Sequence, residues 1–157
     1  MENPGPVLPL LLLAGFRSLI DDLHGRLADE GHPDVRPAHG FALQAIGRGA
    51  TSPGTLADML GVTKQAAART VARLEELGYV HRSVDAADAR RQHVTLTAAG
   101  HDCLTRSERI LGELRAGWVA QVGERRVAGV ERTLATLLGP NAGQVRVDVP
   151  GWFGAGG

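Results

Sequence analysis

Between residues 52 and 78 the helix punctuation leaves little freedom in the local fold. Ser52-Pro53 starts a helix: the serine hydroxyl accepts from free first-turn N–H groups, and proline suits the first helical position. Leu56, Met59 and Leu60 follow at helical spacing, and Gly61 ends the run. Thr63 is placed to cap a second helix reaching about Leu77, whose apolar stripe is Ala67, Val71, Leu74 and Leu77. Gly78 suits the left-handed residue just past the helix end. A short helix, a three-residue turn opening on glycine and a second amphipathic helix form a helix-turn-helix.

The flanks extend the pattern. Residues 9–30 predict a helix through Leu12, Phe16, Leu19, Leu23 and Leu27, ended by Gly31-His32-Pro33. Leu10, Leu11 and Leu13 make its start apolar on other sides too, which calls for cover by a partner subunit. A second helix is expected from Pro37 to Ile46. Tyr79–Ser83 and His93–Leu96 predict two short strands around the polar loop Val84–Gln92. A long helix runs from Thr97 to about Val122 and a last one over Glu124–Leu138, stopped by Gly139-Pro140. The expected fold is mainly α with a small β-hairpin, a winged helix-turn-helix plus a helical dimerisation region. It is one structural domain in parts: 1–50 as N-terminal helices whose apolar start calls for a partner, 51–97 as the winged helix-turn-helix reading head, 98–139 as C-terminal helices, and 140–157 as a turn-rich tail. Trp152 and Phe153 suggest that the tail docks.

The outer face of the second helix of the pair carries its chemistry. Thr63, Lys64, Gln65, Ala68, Arg69 and Arg73 fall opposite the apolar stripe, with no acid from Thr63 to Leu74. Gln pairs with an adenine edge and Lys or Arg with guanine in a major groove. Thr63 and free helix N–H groups suit a phosphate. Gln65 and Arg69 are therefore candidate base readers, and Lys64, Arg73 and Arg91 candidate phosphate contacts. Arg90 and Arg91, at the tip of a projecting ribbon, suit a minor groove. Asp88 beside them is expected to pair with and orient Arg73 or Arg90.

The run Leu56-Ala57-Asp58-Met59-Leu60-Gly61-Val62-Thr63-Lys64-Gln65-Ala66-Ala67-Ala68-Arg69 resembles the helix-turn-helix of the MarR (multiple antibiotic resistance regulator) family. Arg73-Leu74-Glu75-Glu76-Leu77-Gly78-Tyr79-Val80 resembles the end of the family's recognition helix and its passage into the wing. Asp85, Asp88-Ala89-Arg90-Arg91 and Val94-Thr95-Leu96-Thr97-Ala98-Ala99-Gly100 resemble the wing itself. The resemblance implies a homodimer with intertwined first and last helices. It implies binding to a near-palindromic operator through two recognition helices and two wings, with Arg90 as the wing arginine. It implies, for many members, release of DNA by a small, often aromatic molecule or an oxidant. Ala68 departs from the usual small hydroxyl residue, and Ala86 from the usual wing proline.

Composition narrows the alternatives. Formal net charge is zero, yet residues 63–101 hold six Lys/Arg against four Asp/Glu. Neutrality leaves open a winged-helix module that binds protein instead. The single cysteine, Cys103, forbids an intrachain disulfide and fits a reducing cytoplasm. Near the start of the long helix it is either a redox sensor, favoured by the helix dipole, or a small buried residue. The apolar run Val7–Phe16 is too short for a membrane span and lacks a basic flank. His24, His32, His39, His81, His93 and His101 form no tight metal spacing, though His81 and His93 are expected to face each other across the hairpin. No phosphate-binding glycine loop or nucleophile elbow is found, so neither an enzyme nor a cofactor is expected. For an inducer, Phe16, His39 and Phe41 are the candidates, with Arg115 and Trp118 further along the long helix.

Overall fold

The computed structural model describes residues 5–140. Its elements are α1 (Val7–Asp29), α2 (Pro37–Gly47), α3 (Pro53–Leu60), α4 (Lys64–Glu76), β1 (Val80–Val84), β2 (Gln92–Leu96), α5 (Ala98–Val122) and α6 (Glu124–Leu138). Trp152, Phe153 and the tail expected at 140–157 lie, Pro140 apart, outside the described residues.

Each helix of the reading head starts where a hydroxyl satisfies it. Ser52 Oγ accepts Thr55 N–H at 3.1 Å, and Thr63 Oγ1 accepts Ala66 N–H at 3.1 Å. Helices α1 and α4 end alike. At the first, Gly31 (φ +101°) lets His32 N–H reach back to the Leu27 carbonyl at 2.8 Å; at the second, Gly78 (φ +82°) lets Tyr79 N–H reach Leu74 at 2.9 Å. That commitment of Tyr79 is why the ladder begins at Val80↔Leu96, one residue later than expected, and runs on to Val84↔Gln92. In this register His81 faces Thr95 and His93 faces Ser83, so the two histidines are diagonal neighbours, not the cross-strand pair expected.

The core is aliphatic, as a chain with so few aromatics requires. Leu27, Leu43, Leu56, Val71, Leu74, Val94, Cys103 and Ile110 are fully buried. They come from α1, α2, α3, α4, β2 and α5, so the reading head and the first half of α5 share one interior. Burying each Leu or Ile contributes roughly 1.5–3 kcal/mol. The hairpin is seated on the head by one backbone bond, Val94 N–H to the Thr51 carbonyl at 2.8 Å. Thr97 N–H binds the Tyr79 carbonyl at 3.0 Å and its hydroxyl the Gly78 carbonyl at 2.6 Å, which fixes α5 against the end of α4.

Away from the head, α1, α5 and α6 form a stalk. Arg26 pairs with Glu113, and Glu30 with Arg106 and Arg109, tying α1 to α5. Arg115 holds both Glu124 (2.7 Å) and Glu131 (2.6 Å), tying α5 to α6. Yet Leu8, Leu10, Leu11 and Leu13 on α1, Trp118 and Val122 on α5 and Val130, Leu137 and Leu138 on α6 are all exposed in the single chain. No helix among the described residues is long and apolar enough to cross a membrane.

Candidate nucleic-acid interface

Helix α4 divides cleanly into two faces. Ala67, Val71 and Leu74 are fully buried and Leu77 partly so; Ala66 and Thr70, unmarked by the sequence stripe, are buried as well. Thr70 is accommodated because its hydroxyl donates to the Ala66 carbonyl at 3.0 Å. Thr63, Lys64, Gln65, Ala68, Arg69 and Arg73 all stand exposed on the other side. Lys64 and Gln65 occupy the first turn, the end of a recognition helix that enters a major groove.

Arg73 is held by Glu76 one turn on, at 3.0 Å, so part of its charge is already answered. Glu75 turns away and braces the wing. It accepts Arg82 N–H at 2.9 Å and the Arg82 guanidinium at 2.9 and 3.1 Å. The Arg82 guanidinium holds the Glu75 carboxyl below its ordinary range. Arg82 escaped sequence reasoning, since nothing in its spacing marks it as the partner of a glutamate seven residues earlier.

The wing tip is a pair of aspartate turns. Asp85 Oδ1 accepts Ala87 N–H at 2.9 Å, and Asp88 Oδ1 accepts Arg90 N–H at 3.0 Å. The expected ion pair of Asp88 with Arg73 or Arg90 is therefore corrected: among the described residues Asp88 is bonded to the Arg90 backbone. An Asx side chain reaches an N–H two residues on more readily than a long guanidinium. Its effect is still to position Arg90, through the peptide and not the charge. Arg91 N–H to the Asp88 carbonyl and Asp85 N–H to the Arg91 carbonyl, both 2.9 Å, close the loop.

These parts converge on a cleft of about 550 Å³. One wall is the start of α3 with Thr51, Ser52, Pro53 and Gly54. A second is Lys64 and Ala68 of α4, and a third Arg90, Arg91, Gln92 and His93 of the wing. Among the described residues no carboxylate lines it. The first turn of α3 adds the Gly54 N–H, since Thr55 N–H is taken by Ser52 and Pro53 has none, and the positive end of a helix dipole. Such a cleft suits a phosphate anion. Gln65, Arg69 and Arg73 lie outside it, along the open face of α4. Residues 51–54 were legible only as a helix cap, since their nearness to the wing comes from contacts between residues distant in sequence, the Thr51–Val94 backbone bond among them.

The residues expected at an inducer site are partly brought together. Phe16 and Phe41 stack, with centroids 6.3 Å apart and planes at 16°. His39 is half-buried and accepts Arg36 N–H on Nδ1 at 3.1 Å, capping α2; burial lowers its pKa. The Trp118 ring lies against α1 beside Gly15. Arg115 is taken up by Glu124 and Glu131 and does not join them.

Cys103 is 1% exposed, and burial pushes its thiol up to about 11. The redox-sensor reading is corrected on that ground. Desolvation of the thiolate outweighs the helix dipole, so the reactive form is suppressed. Among the described residues no group of three His, Cys, Asp or Glu side chains is placed to hold a metal ion.

Residues 34–91 match the MarR family model. The solved structure of FabT from Streptococcus pneumoniae, in complex with DNA, superposes with a TM-score of 0.72 at 20% identity, over 84% of this chain and 93% of that one. RV1404 from Mycobacterium tuberculosis gives 0.68 at 22% identity, over 88% and 94%. A MarR-family transcriptional regulator from Rhodococcus sp. RHA1 gives 0.67 at 17% identity, over 89% and 98%. These likenesses establish the winged-helix fold. A comparison with curated protein sequences finds no match.

Proposed function

We propose that this chain is a member of the MarR family, whose model matches residues 34–91, and that it is a sequence-specific DNA-binding transcriptional regulator. The observation that carries this reading is the cleft, free of carboxylates among the described residues, where Lys64, Arg90 and Arg91 meet the start of α3, beside the exposed cationic face of α4. It seats a backbone phosphate, while Gln65 and Arg69 meet base edges in the major groove and Arg90 enters the minor groove. Thr63, Arg73 and Arg91 add phosphate contacts.

The working unit is a homodimer in the cytoplasm. The exposed leucines of α1 and the apolar faces of α5 and α6 support this, because water-facing patches of that extent mark an interface. Two-fold symmetry then asks for a near-palindromic operator, its half-sites about 10 base pairs apart. The regulator is a repressor that acts by occupying DNA, released by a small aromatic ligand. The stacked Phe16 and Phe41, which bridge α1 and α2, support that site, with His39 two residues before Phe41 on the same helix.

The test is fluorescence anisotropy of the purified protein with duplex DNA from upstream of its own gene, a scrambled duplex and a salt series. Preference for the native duplex, with affinity falling steeply as salt rises, is expected. A folded dimer that binds neither duplex even at low salt would overturn the reading in favour of a protein-binding winged helix, which the zero net charge permits.

A further inference from the structure

His32 is 6% exposed, and both its ring nitrogens are engaged. Nδ1 lies 2.8 Å from Tyr79 Oη and Nε2 lies 2.8 Å from Asp102 Oδ2. The three residues come from the three ends that meet behind the reading head. His32 follows the glycine that ends α1, Tyr79 follows the glycine that ends α4, and Asp102 sits in the first turns of α5. The joint therefore links the far end of the recognition helix to two of the stalk helices, α1 and α5.

Hydrogen-bond chemistry makes this joint directional. The Asp102 carboxylate only accepts, so Nε2 carries a hydrogen. While the ring is neutral, Nδ1 accepts the Tyr79 hydroxyl, so both ring nitrogens and the phenol hydrogen have partners, and Asp102 Oδ2 also accepts from Arg106 Nε at 2.8 Å. Protonation puts a hydrogen on Nδ1 as well. The ring then donates to Tyr79 Oη, and the phenol hydrogen loses its acceptor inside a buried site. The surrounding charges are Glu30 from α1, which shares Arg106 with Asp102; Asp34 from the α1–α2 loop; and Arg106 and Arg109 from α5. The Cys103 thiol faces Tyr79 from the same helix.

We propose that His32 is a proton-sensitive positioning residue, coupling the set of α4 to the stalk so that acid weakens DNA binding by reversing the His32–Tyr79 hydrogen bond. This rests on the DNA-binding reading for its consequence, though not for its chemistry. A proton at His32 disfavours the head position that the neutral joint holds, with no contact between His32 and DNA.

Two measurements separate the parts. Tyr79 is the only tyrosine in the chain, so the tyrosine Fermi doublet in its Raman spectrum reports this one phenol as donor or acceptor. As the solution is acidified in steps from neutral pH, the doublet is expected to pass from donor to acceptor. In His32→Gln, whose amide supplies both a donor and an acceptor at all pH values, it is expected to stay fixed. A wild-type doublet that does not move overturns the proposal. Duplex affinity over the same range is expected to fall roughly tenfold more in wild type than in His32→Gln, the size of one lost buried hydrogen bond. The other histidines, His93 in the cleft among them, contribute equally to both proteins. Equal pH profiles refute the coupling even if the doublet moves. If His32→Gln does not fold, Tyr79→Phe removes the reversible hydroxyl and is expected to flatten the profile by the same amount; an unchanged profile refutes it. If no duplex binds at any pH, the regulator reading and the proposed coupling to DNA both fail, while the doublet still decides the hydrogen-bond reversal.

Discussion

Gly100→Ala is expected to damage the protein far more than a methyl group suggests. A Cβ at Gly100 would lie 2.3 Å from the Tyr79 carbonyl oxygen and 3.2 Å from Leu96 Cδ2. Leu96 can rotate away, but the carbonyl cannot. Tyr79 N–H is bonded to Leu74, and its carbonyl is bonded to Thr97 N–H at 3.0 Å. Restoring ordinary contact needs α5 to move by about 1 Å, which strains the Thr97 bonds to Gly78, Tyr79 and Gly100 together. Overpacking against a fixed neighbour costs about 1–3 kcal/mol. A weakened hydrogen bond adds about 0.5–1.5 kcal/mol. Better helix propensity returns at most about 1 kcal/mol. The net expectation is a loss of about 2–3 kcal/mol, or roughly 4–12 °C in Tm for a chain of this size. Gly112→Ala on the same helix is the control: nothing lies within 4 Å of its Cβ, so it should be neutral or gain up to about 1 kcal/mol. Urea and thermal unfolding of both variants give the answer. A Gly100→Ala protein as stable as wild type would show that α5 does not close tightly on the end of α4.

Arg90→Ala should weaken duplex binding at least tenfold while leaving Tm unchanged, because its side chain is exposed at the wing tip; unchanged anisotropy in a folded variant removes the wing from the interface. Burial lowers the pKa of both His24 and His39. The unfolded chain, near 6.5, therefore takes up protons first, so their contribution is complete above that pH and declines as pH falls below it. The urea midpoint should drop between about pH 7 and pH 5.5, and less so in His24→Leu; equal slopes in the two proteins would exclude His24 as a cause. Cys103 should react with a thiol reagent only on global unfolding, so modification of the native protein at a rate comparable to free cysteine contradicts its burial. Leu10→Glu with Leu13→Glu should halve the mass seen by light scattering if α1 forms the dimer interface, and an unchanged dimer would place that interface elsewhere.

The elements were legible because their ends are chemical. Ser52, Thr63, Thr97 and Gly78 announce themselves by residue type, and each does in the structure what its type allows. The exposed face of α4 was legible for the same reason, as the complement of a periodic stripe. What failed to show were contacts between residues distant in sequence, and the choice among near ones. An acid among arginines suggests an ion pair for Asp88, whereas a short side chain in a turn bonds the nearest peptide first. The hairpin register turned on one commitment, Tyr79 to the end of α4, and it decided whether His81 and His93 face each other. The His32–Tyr79–Asp102 joint joins three segments whose closeness no local pattern encodes.

Zero net charge argues against DNA binding only if charges are spread evenly, and here they are not. Outside the reading face, the carboxylates of Glu30, Glu113, Glu124 and Glu131 are bound to stalk arginines, and Asp102 to Arg106 and His32. Each is held below its ordinary carboxylate range, first of all by hydrogen bonds from an arginine. Such exposed pairs add little to stability. Their effect is to confine negative charge to the stalk, at short range from its own counter-charge. On the reading face the two wing aspartates are turned into backbone acceptors. Among the described residues Lys64, Arg69, Arg90 and Arg91 have no carboxylate within ion-pair distance, so a polyanion approaching that face meets cations that are not already answered. Screening over about 8 Å at physiological salt hides the stalk from such a partner, and the local field, not the total, sets the encounter. Replacing Lys64 and Arg91 with glutamine, which removes two phosphate contacts from each subunit of the dimer, should therefore lower the salt slope by about four, although it changes the net charge of the whole chain only slightly. A matching pair of substitutions in the stalk, Arg125→Gln with Arg126→Gln, should leave that slope as it was.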